Sequence, residues 1–409
     1  MNVFEFRNRL VGDFSSYVRS FINIKDVRID EHVKNGLNEG ALWPEPLIQL
    51  NPSFEPGGKI DDLVEAHILH EGCGAIFRRD KDKPEHFGKG IFLRLHKHQD
   101  EAIRCSRRGD NYVLTTGTGS GKSLAYIVPI VDHVLRHGSG KGIQAIVVYP
   151  MNALANSQFN ELEKFLCEGF PDRKGPVTFR KYTGQESKDE KNEIISDPPD
   201  ILLTNYVMLE LILTRTDEIG LVERAKGLKF LVLDELHTYR GRQGADVALL
   251  VRRVRDAMEA DQLQHVGTSA TLAGAGSPEE QRKQVAEVAS VIFGSTVKPE
   301  NVIGETLKRT TAPGNVFSPA FLDALRRRVS NLAKTPPVTY KEFVEDPLSV
   351  WLEDAFGLET DPETSRLSRK PARGIWGDNG AAKELSGLTG VQPERCAQAI
   401  QEGLLAGFK

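Results

Sequence analysis

The run Thr115-Thr116-Gly117-Thr118-Gly119-Ser120-Gly121-Lys122-Ser123 constrains the fold more than any other part of the chain. A short apolar strand pattern, Tyr112-Val113-Leu114, precedes it. A helical pattern from Ser123 to Arg136 follows, with apolar residues at Leu124, Ile127, Val128, Ile130, Val131, Val134 and Leu135. Strand, glycine-rich turn, Gly-Lys-Ser and helix together make an anion cradle. Glycines let successive backbone N–H groups converge on one phosphate, and the helix N-terminus adds partial positive charge. The expected cradle is Thr116, Gly117, Thr118, Gly119, Ser120 and Gly121. Lys122 is expected to reach the outer phosphates, and the Ser123 hydroxyl to sit on Mg²⁺. Thr116 departs from the general pattern, which has glycine at that position. The bland alternative, a polar surface turn, leaves the flanking strand and helix unexplained.

The alternation continues downstream. Apolar β-rich runs at 147–149, 177–179, 201–204, 230–235 and 265–271 are separated by helical patterns at 152–167, 205–214 and 242–258. Such alternation predicts βαβ units with a parallel sheet. Strand runs without polar residues at every second position predict helices on both faces. Up to about residue 90, short helical patterns mix with turn-rich stretches. Beyond about 300 the strand signal fades, leaving helical patterns at 317–334, 341–356 and 393–406. The expected fold class is α/β, with a mostly helical region over 1–90, a nucleotide-binding lobe over 91–310 and a helical region over 311–409.

A net charge of −4 over 409 residues, with 27% charged and 39% hydrophobic residues, describes a globular chain that is not broadly basic. Any nucleic-acid contact must therefore come from local patches. Cys73, Cys105, Cys167 and Cys396 lie far apart with no Cys-x-x-Cys pair, which argues against a zinc ribbon and for a reducing compartment. His70 and Cys73 are spaced like half of a metal site, but no second half accompanies them. No apolar run approaches the ~20 residues needed to span a bilayer, and the charged N-terminus is no secretory signal. The expectation is a cytoplasmic protein with no membrane partner.

Phe230-Leu231-Val232-Leu233-Asp234-Glu235 is an apolar strand ending in two acids. Asp234 there can hold the metal shell, and Glu235 can orient and polarise an attacking water. Two solvated acids at a strand end are the alternative. Gln99, about 20 residues before Lys122, carries a carboxamide that matches the N6 and N7 edge of adenine; a polar residue opening an amphipathic helix is its alternative. Gly267-Thr268-Ser269-Ala270-Thr271 ends another strand with small hydroxyl residues, which can hydrogen-bond the acidic pair.

GTGSGKS, DELH and SAT, in this order with Leu95-His96-Lys97-His98-Gln99 upstream, resemble motifs of superfamily 2 helicases of the DEAD/DEAH-box type. That resemblance implies a RecA-like P-loop NTPase lobe, ATP and Mg²⁺ as cofactors, and nucleic acid as partner. On matching positions it implies adenine recognition by Gln99 and catalytic roles for Lys122, Asp234, Glu235 and His237. Ser123 and Asp234 become the metal residues, and Ser269, Ala270 and Thr271 the coupling motif. The run Tyr149–Gln158 is similar to the element that grips one nucleic-acid strand, which nominates Pro150, Asn152 and Gln158. It departs by Met151-Asn152 where the family often has Thr-Arg. Gly184, Thr204 and Asn205 match further strand-contacting elements. Arg240 and Arg242 add charge in a glycine-flanked loop.

The segment Asp234–Arg255, DELHTYRGRQGADVALLVRRVR, resembles the large bacterial DNA helicases of the mitomycin-repair and anti-phage defence type. The expected function is the ATP-binding lobe of a DNA helicase or translocase, with DNA favoured over RNA and defence or repair proteins as possible partners. A nucleotide-gated nucleic-acid-binding module and an RNA helicase are the alternatives. The family arrangement calls for a second RecA-like lobe carrying an arginine. No further strand–helix alternation and no QxxGRxGR-like run follow Ala270, so a second lobe in cis or in trans is the expected partner. Gly403–Lys409 accordingly reads as an interruption.

Overall fold

The computed structural model describes the chain apart from residues 1, 22–23, 39–42, 87, 118, 271–276, 313–317, 332–336, 362–365 and 408–409. Two compact units are present, one spanning Phe54–Thr306 and the other combining Met1–Ser53 with Leu307–Lys409.

In the first unit seven strands form one parallel sheet. They are β1 Tyr112–Thr115, β2 Ala145–Tyr149, β3 Phe179–Tyr182, β4 Ile201–Asn205, β5 Phe230–Leu233, β6 Gln264–Ser269 and β7 Val302–Gly304, in the spatial order β7-β1-β6-β5-β2-β4-β3. Six helices of this unit matter below: α1 Lys97–Arg107, α2 Leu124–His137, α3 Asn152–Leu166, α4 Tyr206–Ile212, α5 Gly241–Ala257 and α6 Pro278–Phe293. This is the RecA-like architecture.

Strand residues alternate between two cores. Ala145, Val147 and Tyr149 of β2 join the cluster that contains Ile127 and Val131 of α2. Ile146 and Val148 join the cluster that contains Val251 of α5 and Phe293 of α6. Both faces are covered, so every residue of β2 and β5 is buried. Each large aliphatic side chain removed from water contributes about 1.5–3 kcal/mol. Pro129 lies inside α2 and lacks the N–H that would bond the Ala125 carbonyl. The Tyr112 hydroxyl of β1 donates to that carbonyl at 2.9 Å, so the helix tolerates the proline.

The seventh strand departs from the sequence expectation that strand signal ends near 300. Val302, Ile303 and Gly304 pair in parallel with Val113, Leu114 and Thr115. Three residues at a sheet edge are too few to show a period. The strand matters because it delivers Glu305 to the phosphate-loop turn.

In the second unit, α7 Pro319–Ser330, α8 Pro347–Phe356, α9 Ala381–Thr389 and α10 Pro393–Gly407 enclose Leu325, Trp351, Phe356, Leu385 and Ile400. An antiparallel pair, Leu358–Thr360 with Leu367–Arg369, adds strand structure where the sequence pattern suggested only helix and linker. In the basic triplet Arg326-Arg327-Arg328, Arg326 and Arg327 are exposed, whereas Arg328 is 2% exposed and its Nε lies 2.9 Å from Asp346 Oδ1. Among the described residues no helix is long and apolar enough to cross a membrane.

Candidate active site

The site gathers where β1, β5 and β6 end, at the carboxyl edge of the sheet. In the turn after β1, Gly119 and Gly121 have φ of +75° and +68°, a region that side-chain-bearing residues avoid. A Cβ on Gly121 would lie 2.5 Å from Gln99 Nε2. Thr116, the departure from the glycine pattern, has a use. Its buried hydroxyl meets the Ser120 hydroxyl at 2.7 Å and fastens the turn across its base. The Gly117 N–H donates to Glu305 Oε2 at 2.9 Å. Thr118 lies outside the described residues.

The first turn of α1 braces this loop twice. Gln99 Nε2 donates to the Gly121 carbonyl at 2.8 Å, while Gln99 Oε1 accepts from the His96 N–H at 2.8 Å. Both polar ends of the expected adenine reader are thus engaged with backbone here. Beside it, His98 Nε2 lies 2.9 Å from the Ser120 carbonyl. Burial lowers the His98 pKa, so the neutral ring donates from Nε2. Neither His98 nor Glu305 was singled out by the sequence pattern. His98 neighbours Gln99 on the same helical turn, whereas nothing in the local sequence links Glu305 to residue 117.

The two acids follow β5. Asp234 is anchored by its N–H to the Val148 carbonyl at 2.9 Å. Thr268 of β6 donates its hydroxyl to Asp234 Oδ1 at 2.5 Å and accepts the Glu235 N–H at 3.0 Å. One hydroxyl therefore fixes both acids, and it belongs to Thr268, not to the nominated Ser269 or Ala270. Burial raises the Asp234 pKa; the Thr268 hydrogen bond and the Lys122 charge oppose that rise. Glu235 has φ 52° and ψ 54°, a left-handed conformation that costs about 1–3 kcal/mol in a non-glycine residue. Its Oε1 lies 3.4 Å from Lys122 Nζ, which also lies 3.4 Å from the Ser269 carbonyl. Glu235 Oε2 is buried with no hydrogen-bond partner among the described residues. His237 Nδ1 stands 3.3 Å from that oxygen, 3.3 Å from the Ala270 N–H and 3.4 Å from Ser269 Oγ. Thr271 lies outside the described residues.

The residues suit a nucleotide and a magnesium ion on their own chemistry. A cavity of about 450 Å³ opens between the loop, the two acids and α3. It is lined by one ammonium (Lys122), the Ser120 and Ser123 hydroxyls, the Gln158 carboxamide, three carboxylates (Glu161, Asp234 and Glu235) and the glycine turn. Among the described residues no group of three or more His, Cys, Asp or Glu side chains could cage a metal. Ser123 and Asp234 instead supply a sparse oxygen set, which matches Mg²⁺ and its preference for retaining waters. The Ser123 hydroxyl donates to Gln158 Oε1 at 2.6 Å. Gln158, nominated with the nucleic-acid residues, therefore lines the nucleotide cavity.

The remaining nucleic-acid nominees separate into groups. Asn205 caps α4 by accepting the Met208 N–H at 2.8 Å, and its Nδ2 reaches Asn152 Oδ1 at 2.7 Å and the Thr183 carbonyl at 3.1 Å. Pro150, Asn152 and Asn205, with Tyr206 and Val207, line a shallow groove of about 260 Å³. Gly184 has φ +89°, and its N–H is taken by Glu186 Oε2 at 2.9 Å. Thr204 is fully buried and donates to the Tyr182 carbonyl at 2.7 Å, so its side chain is part of the sheet and faces no groove. Arg240 and Arg242 are exposed. Arg252 and Arg253 are committed to protein contacts, with Ala248 and Val291 carbonyls and with Glu210 respectively.

A family model described as DEAD/DEAH box helicase matches residues 96–278, which spans the loop, both acids and the groove. This segment belongs to the DEAD/DEAH box helicase family. The chain is 26% identical to the Druantia protein DruE of Escherichia coli (strain UMEA 4076-1) over 359 residues, covering 60% of this chain and 19% of that protein. It is 31% identical over 187 residues to the ATP-dependent helicase MJ1574 of Methanocaldococcus jannaschii, covering 44% and 26%. Among solved structures, the DUF1998 helicase MrfA bound to DNA and AMPPNP aligns with a TM-score of 0.47 at 21% identity, covering 72% of this chain and 38% of that one. The chain spans between a fifth and about a quarter of the length of the curated relatives it matches.

Proposed function

We propose that the chain provides the ATP-binding lobe of an ATP-dependent DNA helicase or translocase. The observation that carries this reading is the convergence of Lys122, Asp234 and Glu235 on one glycine-turn cavity, with a single threonine hydroxyl holding both acids. In this reading Gly119 to Gly121 offer N–H groups to phosphate while the Gly117 N–H is held by Glu305, and Lys122 exchanges its long contacts with Glu235 and Ser269 for phosphate oxygens. Ser123 and Asp234 are the metal-facing residues. Bound Mg²⁺–ATP supplies the phosphoanhydride to be cleaved, with the metal spreading the charge of its phosphate oxygens. Glu235, one of whose carboxylate oxygens is buried with no hydrogen-bond partner among the described residues, accepts a proton from and orients a water. His237 joins Glu235 to Ser269 and Ala270, a route by which the end of β6 can sense the state of the cavity. Gln99 holds the loop at Gly121, and adenine recognition would require its carboxamide to leave those backbone partners.

The groove at Pro150, Asn152 and Asn205, with Gly184, Arg240 and Arg242 nearby in sequence order, is proposed as the backbone track for nucleic acid. Contacts to phosphate and sugar are sequence-independent. DNA is favoured because the segment Asp234–Arg255 resembles that of large bacterial DNA helicases. Similarity to a Druantia protein motivates a role in phage defence, and DNA repair is the companion proposal. A second RecA-like lobe, in cis or in trans, is proposed to complete the site.

The test is nucleotide binding and turnover by the purified chain. Lys122→Ala abolishes binding of Mg²⁺–ATP, and Glu235→Gln keeps binding while hydrolysis collapses. Equal ATP affinity for wild type and Lys122→Ala refutes the reading. Side-by-side titration with single-stranded DNA, duplex DNA and RNA at one salt concentration decides the substrate, since affinity depends steeply on salt.

A further inference from the structure

We propose that Gln158 is a positioning residue for the metal-facing hydroxyl, fixing the direction in which Ser123 presents its lone pairs. This rests on the nucleotide-site reading above and deepens it.

A serine hydroxyl has one proton and two lone pairs. If the proton points into the cavity, it opposes a cation there. A lone pair can face a cation only when the proton has an acceptor elsewhere. Oxygen groups around Ser123 include Asp234 and Gln158 of the same cavity and the buried Tyr126 hydroxyl, which also pairs with Ser123. Asp234, the other metal-facing residue, has Oδ1 already receiving the Thr268 hydroxyl at 2.5 Å. Gln158 Oε1 receives the Ser123 hydroxyl at 2.6 Å, near the short end of the range for an O–H donor. A carboxamide oxygen is a suitable choice because it accepts the proton without adding a further negative charge to a cavity lined by Asp234, Glu235 and Glu161. Gln158 also lines the same cavity as Lys122 and the two acids.

The geometry of α3 explains why a residue within a strand-gripping motif arrives here. Gln158 lies six residues beyond Asn152, the first residue of α3, a rise of about 9 Å along the axis. One rigid helix therefore carries a groove residue at its start and the Ser123 partner more than a turn later.

The experiment measures the dissociation constant of a fluorescent ATP analogue in excess Mg²⁺ and in EDTA. The ratio of the two constants is the gain due to the metal. Wild type, Ser123→Ala, Gln158→Ala and Gln158→Glu are compared, with Lys122→Ala as control. Gln158→Ala should shrink the metal gain by about 3- to 10-fold, the value of one modest hydrogen bond, while affinity in EDTA stays within twofold of wild type. Gln158→Glu keeps the acceptor and should restore at least half of the gain. The double variant Ser123→Ala/Gln158→Ala should lose no more than Ser123→Ala alone, because both act through one hydroxyl. An unchanged metal gain in Gln158→Ala overturns the inference, as do additive losses in the double variant. Should Gln158→Ala fail to fold, Gln158→Met and Gln158→Glu make the same comparison. Failure of the underlying reading looks different: wild type would then bind the analogue no better than Lys122→Ala.

Discussion

Thr268→Val is the sharpest test of how the acidic pair is held. The change is close to isosteric, so packing is nearly kept while one hydroxyl is removed. That hydroxyl donates to Asp234 Oδ1 at 2.5 Å and accepts the Glu235 N–H at 3.0 Å. Loss of a hydrogen bond to a charged, buried acceptor costs about 1.5–3 kcal/mol, and an orphaned N–H adds about 1 kcal/mol or more. A net loss of about 3 kcal/mol is expected, roughly 6–12 °C in Tm for a unit of this size. The pH dependence follows from Asp234. Burial holds its folded pKa above the unfolded value of 3.8, so the fold favours the protonated acid. That favourable contribution is fully present below 3.8 and is lost as pH rises through the folded pKa. Thr268 restrains the rise, so its removal lifts the folded pKa further and enlarges the loss at neutral pH. Urea titrations at about pH 4.5 and 7.5 should show the larger Thr268→Val penalty at the higher pH, with Thr268→Ser recovering most of it. A penalty under about 1 kcal/mol, an equal penalty at both pH values, or Thr268→Ser as damaging as valine would refute the reasoning.

Three further outcomes follow from the same geometry. Gly121→Ala places a Cβ 2.5 Å from Gln99 Nε2 at a φ of +68°, and should cost about 1–2 kcal/mol together with a tenfold or greater loss of ATP affinity. Gly109→Ala, at φ +80° with open space around it, should carry the backbone cost alone and bind ATP normally in the same titration. Thr204→Val removes the buried hydroxyl bonded to the Tyr182 carbonyl. It should lower stability by about 1–2 kcal/mol in a denaturant melt and leave the salt dependence of nucleic-acid binding unchanged. Arg328→Ala strands the buried Asp346 carboxylate and should destabilise the helical unit by about 3–5 kcal/mol. Arg327→Ala, on an exposed position of the same helix, should stay within about 0.5 kcal/mol of wild type.

The parts of the fold legible in the sequence are those that carry a period or a punctuation mark. Five of the seven parallel strands leave runs legible in the sequence because both their faces are buried, and the glycine turn marks the first crossover; the edge strand β3, with Arg180 exposed, meets its expected run 177–179 only at Phe179. What escaped has a common cause. β7 is three residues long, too short for any pattern, and its partner lies far back in the chain. Residues 54–90 lie in the same compact unit as the sheet, through contacts that local composition does not encode. Arg328 looked like its exposed neighbours because a three-residue basic run gives no phase; the helix turns it inward to Asp346. Around the cavity, the motif residues Lys122, Asp234 and Glu235 converge, and Thr268 holds the acids from within the hydroxyl-rich run 267–271 expected to do so, whereas His98, Glu305 and Gln158 carry no local signature for their contacts.

That division has a physical basis. A phosphate site requires donors that are aimed but unspent, and aiming them takes hydrogen bonds from groups that face the protein. Gln99 and His98 use theirs on the Gly121 and Ser120 carbonyls, and Thr116 and Ser120 use theirs on each other. The Ser120 and Gly121 carbonyls and the Thr116 and Ser120 hydroxyls are thereby engaged, and the Gly117 N–H is taken by Glu305, so an anion would meet the N–H groups from Gly119 onward. At the opposite wall the balance is reversed. Glu235 is held left-handed, with a buried carboxylate oxygen unpartnered among the described residues, a state that lowers stability and is tolerated where chemistry needs an acceptor in waiting. The loop side of the cavity is thus braced by hydrogen bonds at Thr116, Ser120 and Gly121, and the acid side is strained and open. A ligand that gave the acid side its missing donor and drew Lys122 away from its 3.4 Å contacts would release that strain. The two walls therefore divide the work, one fixing the phosphates and the other supplying the proton acceptor.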